Sequence, residues 1–400
     1  MMHLLYNLAI RLYGFSIRLA SIWNSKAKKW HAGRKAQIHQ DLSKFKGALW
    51  IHCASVGEFE QVKPIIDRLK SETDHKLVVS FFSPSGFELN KANSSLDYVF
   101  YLPLDTKRNM RSLILELKPS MLILAKYELW LNMIAELQKE KVPIVLVSAL
   151  FQPNQIFFKP FGGIFRRALT ALSMICVQDE ESVRLLKSIR IEDCKVTGDS
   201  RFDRVLQLRD QSLALNIGTC NRKLIIAGST WAKDEDLLFK VMQHAKSEFQ
   251  LLLVPHELSR EYKIPKGLSC GLYSEGKKFS EDLDVLVFDQ MGYLSKLYRL
   301  GDLCYIGGGF GQGIHNILEP AVYAKPVLFG PNHHRFREAK GLIQNGGAKE
   351  IGSELAFEEF LKENAKSHQL KAMGELAFSY VDENKGAEDK CLDEINKLLS

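Results

Sequence analysis

With 400 residues the chain is too long for one ordinary hydrophobic core, and two domains are expected. Its 46% apolar and 25% charged content is that of an ordinary globular protein. The formal net charge of +7 is wholly N-terminal: the first 40 residues hold Arg11, Arg18, Lys26, Lys28, Lys29, Arg34 and Lys35 without one acid, and the remainder carries 47 basic and 47 acidic residues. A nucleic-acid groove would need its cations along the folded body, so no nucleic-acid partner is expected. An anionic membrane surface touched by one end of the chain fits the distribution better. The seven cysteines stand singly with no CxxC pair, which suits a reducing cytoplasm and gives no zinc pattern.

Taken in chain order, Leu5, Leu8, Leu12, Phe15, Leu19 and Ile22 recur at helical spacing, and Asn7, Arg11 and Arg18 form a narrow polar stripe beside them. Arg11 and Arg18 interrupt any uncharged run of the roughly 20 residues that would cross a bilayer. The physical reading of segment 1–40 is a helix lying in the membrane interface, followed by a basic tail. A helix packed on the protein's own core has the same periodicity. From residue 47 short apolar runs alternate with amphipathic stretches. Strands are predicted at 48–54, 77–82, 121–124, 144–148, 175–177 and 195–197, and helices at 56–70, 85–92 and 129–140. Residues 206–221 lack a strand pattern and read as a linker. A second set follows, with strands at 224–227, 251–254, 285–288, 303–306 and 327–329 and helices at 234–246, 292–299, 316–324 and 335–344. Strands alternating with helices imply parallel sheets with right-handed crossovers. The expected fold class is therefore α/β: two Rossmann-like domains, 41–205 and 222–354, facing across a cleft, with C-terminal helices 355–400 packing back on the first.

Three constellations fall at predicted strand ends, where open parallel sheets bind ligands. In WIHCASVGE (50–58), Glu58 follows a strand and a tight turn at Gly57, a place for a general base. Ser55-x-x-Glu58 is also the spacing of a capping box, in which both side chains serve the helix start. In YIGGGFGQGIHNILEP (305–320), five glycines after a strand permit close backbone approach to a ligand, and the helix start at Asn316 offers amides to an anion. The glycines serve equally a loop that needs positive φ, and Asn316-x-x-Glu319 is again a capping-box spacing. Pro255-His256-Glu257 and Asp289-Gln-Met291-Gly292-Tyr293 close two further strands at the same sheet edge, and Ser229 adds a hydroxyl beside them. Together they suit a nucleotide site.

Read together, these segments resemble the 3-deoxy-D-manno-octulosonic acid (Kdo) transferases, which have the GT-B glycosyltransferase fold. WIHCASVGEFE is similar to the family's H-x-x-S-x-G-E turn, SFFSPSGFE to its T-P-T-G-x-E, YLPLD to Y-L-P-x-D and ELW (128–130) to E-L-W-P-N. VTGDSRFD is similar to V-T-G-x-x-K-F-D, AGSTWAKDED to S-T-x-x-x-E-E, DQMGYL to D-T-M-G-E-L and GIHNILEP to G-G-H-N-P-L-E-P. The matches run in order from about residue 50 to 337. The resemblance implies an inverting transfer of Kdo from CMP-Kdo to a lipid A precursor in lipopolysaccharide biosynthesis, at the cytoplasmic face of the cell inner membrane, without metal or other cofactor. It implies Glu58 as base and Arg201, in the place of a family lysine, as the stabilising cation. CMP would be held around His256, Glu257, Met291, Gly292, Tyr293, Asn316, Ile317, Leu318 and Glu319, with Ser229, Gly308, Gly309 and Glu128 as further candidates. The chain departs from the pattern in three places. The first acid of E-T-E-L-W is Lys126, P-R-H becomes Pro255-His256-Glu257, and Tyr293 replaces a glutamate. Glu58, at the ordinary carboxylate pKa of about 4.3, would be ionised without any shift. A GT-B transferase using a UDP-sugar on another membrane lipid, and a non-catalytic membrane-bound nucleotide-sugar sensor, share the same architecture.

Overall fold

Most of the apolar runs become strands buried on both faces, the condition of a parallel sheet covered by helices, while the run at 194–196 forms a sheet edge and is not buried. The computed structural model describes residues 2–37, 41–212, 215–220, 222–258, 262–364 and 368–399. The chain divides into two units, Met1–Arg204 with Lys385–Ser400, and Val205–Asn384.

In the first unit the strands are β1 Leu49–Cys53, β2 Leu77–Phe81, β3 Tyr98–Tyr101, β4 Met121–Ala125, β5 Ile144–Ala149, β6 Met174–Val177 and β7 Cys194–Val196. They pair in parallel in the order β3-β2-β1-β4-β5-β6-β7. The helices are α1 Met2–Ala20, α2 Ser25–Ala36, α3 Val56–Glu72, α4 Pro84–Asn90, α5 Lys107–Leu117, α6 Leu131–Lys139, α7 Gly163–Leu169 and α8 Glu180–Ser188, and α9 Arg201–Arg209 begins in this unit and runs on into the second. Side chains alternate across the sheet. Trp50, Val78, Leu122, Leu124 and Leu146 pack under α5, α6 and α7, and Leu49, Ile51, Val79, Ile123 and Val145 pack under α3. β3 and α5 are additions to the sequence reading.

The second unit repeats the plan. Its strands are β8 Lys223–Thr230, β9 Phe249–Pro255, β10 Cys270–Leu272, β11 Val285–Val287, β12 Leu303–Ile306, β13 Val327–Phe329 and β14 Ala348–Glu350, parallel in the order β10-β11-β9-β8-β12-β13-β14. Its helices are α10 Ala232–Ala245, α11 Leu294–Leu297, α12 Leu318–Ala321, α13 Arg337–Gln344, α14 Glu354–Asn364 and α15 Gln369–Glu383. Two helices are shorter than expected. The stretch 292–299 gives only α11 and a 3-10 turn that stops before Gly301, and 316–324 gives the single turn of α12. The latter ends before Lys325, whose position ahead of Pro326 disfavours helix. Of the expected linker 206–221, residues 206–209 complete α9 and Gly218 bridges Phe279, while residues 213, 214 and 221 lie outside the described residues.

The last helix, α16 Ala387–Leu399, belongs to the first unit and packs on α3. Asp203 anchors its start. One carboxylate oxygen accepts the Gly386 amide at 2.6 Å and the other those of Ala387 and Glu388 at 3.0 and 3.2 Å. Lys195 holds Glu394 at 2.6 Å further along the helix. Asp203→Ala leaves three N–H groups without their acceptor and is expected to cost about 2 kcal/mol, measurable by urea unfolding.

The apolar stripe of α1 faces outward: Leu4, Leu5, Leu8, Leu12, Phe15 and Leu19 are exposed, as are Ile22 and Trp23 beyond it. The side resting on the body carries Tyr6, Asn7 and Gly14 instead. The Tyr6 hydroxyl donates to Asp105 at 2.6 Å, the Asn132 side-chain amide donates to Asn7 at 2.9 Å, and Gly14 lies against Leu104. Of the polar stripe read from the sequence, Asn7 thus serves to dock the helix.

Candidate active site

In the first sheet the strand order reverses between β1 and β4, and such a reversal leaves a crevice at the carboxyl ends of those strands. The loops bordering it are 54–58 and 126–130, so topology brings Glu58 together with Lys126, Glu128 and Trp130. Lys126 holds φ at 56°, a left-handed conformation that a non-glycine residue adopts at some cost. Glu58 sits in the first turn of α3 and accepts the Ala54 amide at 2.5 Å. Ser55, the residue before the helix, makes no capping bond with its side chain, so only half of the capping-box geometry is present. Burial, and next the charge of Glu128, push the Glu58 carboxyl up to about 7, against the pull of the Ala54 amide and Lys126. This corrects the sequence expectation of an unshifted acid.

His52 is fully buried beneath this crevice. Its Nε2 accepts the Trp130 indole N–H at 3.0 Å, which leaves the ring proton on Nδ1, facing the Ser80 hydroxyl at 2.8 Å. The same hydroxyl accepts the Trp50 indole N–H at 2.8 Å. Through Trp130 this chain of bonds ties the loop after β4 to β1 and β2, and Glu128 lies 3.9 Å from His52 Nε2. Arg201 opens α9 and is gripped by Asp199, with Nη2 at 2.6 Å and Nε at 2.9 Å from the same carboxylate oxygen. Its guanidinium is thereby oriented, and part of its charge is offset.

In the second sheet the reversal falls between β8 and β12. The residues leaving β8, β9 and β12 form a stack of rings: Trp231 over His256 at 4.5 Å, and His256 over His315 at 4.6 Å. The Trp231 indole donates to His315 Nε2 at 3.1 Å. Burial and then the neighbouring His256 lower the His315 pKa, and Asp234 opposes the shift. Asp234, in the first turn of α10, is buried and organises the whole edge. It accepts the Trp231 amide at 2.9 Å, the Gly308 amide at 2.9 Å and the Tyr305 hydroxyl at 2.9 Å. Ser229 sits on the β-bulge beside these residues with φ at 53°.

The glycine loop differs from its sequence reading. A Cβ on Gly307 would meet the Ser229 carbonyl oxygen at 2.3 Å, and one on Gly309 would meet the Gly330 backbone at 2.5 Å. Gly308 and Gly313 hold φ at 92° and 127°. These glycines therefore serve chain-to-chain packing and turns, and the amides of Gly307, Gly308, Gly311 and Gly313, with that of His315, are taken up within the fold. At the start of α12 the Leu318 amide donates to Asn316 Oδ1 at 3.2 Å. Asn316 also donates to Glu319 at 3.1 Å, which orients that carboxylate. Ile317 and Leu318 are fully buried and offer no side chain to a ligand.

The other named residues lie open. His256 and Glu257 are exposed after β9, Met291 is 82% exposed, and Tyr293 packs edge-on against Phe288. Trp231, His315, Asp234, His52 and Trp130 are not distinguished by the sequence pattern, although each lies inside a segment that carries the resemblance. Their roles come from contacts between segments far apart in sequence. Beside the glycine loop, Gly311, Gln312, Asn332, His334 and Arg335 line a cavity of about 570 Å³. Among the described residues one group has metal-ligand spacing, His244, Glu354 and Glu358, with ligand atoms within 4.8 Å of one another. It lies where α10 packs on α14, with Lys240 and Lys362 3.9 and 3.8 Å from its carboxylates, so it reads as a surface ion network.

Residues 23–204 match a family described as 3-deoxy-D-manno-octulosonic-acid transferase (kdotransferase). The chain is 28% identical to a 3-deoxy-D-manno-octulosonic acid transferase of Aquifex aeolicus over 83% of this chain and 93% of that one. It is 26% identical to the transferase of that name from Rickettsia felis over 97% and 87%. It is 27% identical to a bifunctional glycosyltransferase/methyltransferase of Fusobacterium nucleatum over 96% of this chain, and spans 61% of that longer relative. In fold it resembles a UDP-GlcNAc 2-epimerase from Neisseria meningitidis, with a TM-score of 0.59, 15% identity and coverage of 88% and 99%. It also resembles a glycosyltransferase from Rickettsia africae, with a TM-score of 0.56, 11% identity and coverage of 89% and 99%. Two parallel Rossmann-like units with these likenesses define a protein of the GT-B fold. It is distantly related to the Kdo-transferase and glycosyltransferase superfamily, and glycosyl transfer is the general kind of reaction.

Proposed function

We propose that this chain transfers Kdo from CMP-Kdo to a lipid A precursor, with inversion at the anomeric carbon and Glu58 as general base. The observation that carries the reading is the carboxylate pair Glu58 and Glu128 at the switch point of the first sheet. In its charged form Glu58 takes the proton of the acceptor hydroxyl as that oxygen attacks the anomeric carbon. The bond to CMP breaks on the opposite face, and its electron pair leaves with the phosphate. Arg201, already oriented by Asp199, is the cation assigned to that developing charge. The ring edge of the second unit, with Trp231, His256, His315 and the Asn316-held Glu319, is assigned to CMP, and Met291, Gly292 and Tyr293 to its rim. No step requires a metal or another cofactor.

The acceptor is a membrane lipid, and α1 is assigned to the cytoplasmic face of the inner membrane. No described helix is long and apolar enough to cross a membrane, so α1 would lie in the interface. Its outward leucines and phenylalanine support this, because monomeric globular proteins rarely expose so continuous an apolar strip. Leu8→Asp with Phe15→Asp is expected to weaken binding to anionic vesicles at least tenfold. Because both side chains are exposed, the thermal midpoint should stay unchanged. Equal vesicle binding by the double variant would contradict the assignment. The donor is tested by titrating the protein with CMP and with UDP. CMP is expected to bind at least tenfold tighter, and tighter binding of UDP would favour transfer from a UDP-sugar.

A further inference from the structure

Between α1 and the start of α5 lies a groove of about 850 Å³, the size of a small-molecule site. One wall carries Leu4 and Leu8 and the facing helix adds Leu115, so an apolar strip runs along it. Arg11, Lys107, Arg108 and Arg111 also line it, and none of the lining residues is acidic. Among the described residues these four cations make no ion pair or side-chain hydrogen bond, in a chain where many of the other surface cations are paired.

The sequence of α5 sharpens the point. A helix start carries partial positive charge and ordinarily attracts acids. Here the first two residues are Lys107 and Arg108, Arg111 follows one turn later, and the first turn has no acid. The groove therefore concentrates unbalanced positive charge beside an apolar strip that continues into the exposed face of α1.

We infer that this groove seats one anionic phospholipid, its phosphate among Arg11, Arg108 and Arg111 and an acyl chain along Leu4, Leu8 and Leu115. The inference rests on the membrane-surface reading above and extends it from general adhesion to a discrete lipid site. A phosphate alone would leave the apolar strip unused, and an uncharged lipid would leave the cations unused. Neither Glu58 nor any residue assigned to CMP lines the groove.

The test uses the full chain and short-chain lipids below the concentration at which they aggregate, so no bilayer is present. Dihexanoyl-phosphatidylglycerol is expected to bind saturably, dihexanoyl-phosphatidylcholine and inorganic phosphate at least tenfold more weakly. Arg108→Gln with Arg111→Gln should lower the phosphatidylglycerol affinity at least tenfold while leaving CMP binding and the thermal unfolding profile unchanged, the latter showing that the first unit is folded. Equal binding of the neutral lipid, equal binding of phosphate, or an unaffected double variant would each overturn the seat. Co-sedimentation with phosphatidylglycerol vesicles is read in parallel. Vesicle binding without monomer binding sinks the groove and spares the membrane reading, and loss of vesicle binding by the wild type sinks the membrane reading itself.

Discussion

Replacing Glu58 by glutamine is expected to reduce the turnover of glycosyl transfer by on the order of a thousandfold, the range for loss of a positioned base. CMP affinity should stay within about twofold, since CMP is assigned to the second unit. The variant also has a signature in stability. The folded carboxyl is pushed to about 7 from its ordinary 4.5, so burial disfavours the charged form. That penalty is absent below about pH 4.5, grows as pH rises toward 7 and is fully present above it. Discounted for partial exposure, it amounts to about 2 kcal/mol. Glu58→Gln should therefore raise the thermal midpoint relative to wild type at pH 8 and leave it unchanged at pH 4. A residue held only for the start of its helix would lower stability at both. In the wild type kcat/KM should rise with pH through a midpoint near 7 and then level off, because the base must be charged. Glu128→Gln removes the second cause of the shift and should move that midpoint down. An unmoved midpoint would show that the two carboxylates do not share the site electrostatically.

Asp234→Ala is expected to be the most damaging single change in the second unit. Its carboxylate accepts the Gly308 amide and the Tyr305 hydroxyl, both buried, and the half-buried Trp231 amide. Each buried donor left without an acceptor costs about 1–3 kcal/mol, so the loss should reach about 4 kcal/mol. The glycine loop and the Trp231 ring both hang on this residue, and CMP affinity should fall at least a hundredfold with it. Asp234→Asn can keep both backbone amides on its oxygen and donate its NH₂ to the Tyr305 hydroxyl, which can turn to accept, so it should rescue most of the loss. Urea unfolding with CMP calorimetry on the same samples checks both effects. Normal CMP binding in a destabilised protein would remove the ring edge from the donor site.

How far the sequence carried this picture depends on what each feature is made of. Buried parallel strands are continuous apolar runs, so β1, β2, β4, β5, β8, β9, β12 and β13 were legible. β3 and α5 were not singled out: β3 is four residues long at a sheet edge, and the start of α5 is capped by a single threonine, Thr106, without an acid in its first turn. The lengths of α11 and α12 are overread from the sequence because the first stretch tightens into a 3-10 turn at Tyr298–Leu300 and the second closes after one turn, with Ala324 at a φ of 55°. Glu58 and Glu128 stand in recognisable segments, but the shifted proton affinity of Glu58 was invisible, since its second cause lies 70 positions along the chain on another strand end. The five glycines announced a close approach without saying to what, and the neighbours are Ser229 and Gly330 rather than a ligand. His52 and Trp130 were hidden for the same reason. A hydrogen bond between the ends of β1 and β4 is a property of the strand order, which no single segment carries.

The most direct test of the account is mass analysis of the lipid formed when the wild-type protein meets CMP-Kdo and a tetra-acylated lipid A precursor. The account predicts a product heavier by one or more Kdo residues, with CMP released in equal number, and neither with Glu58→Gln. An unchanged lipid in the presence of bound CMP-Kdo, or a product formed equally well by Glu58→Gln, would contradict it.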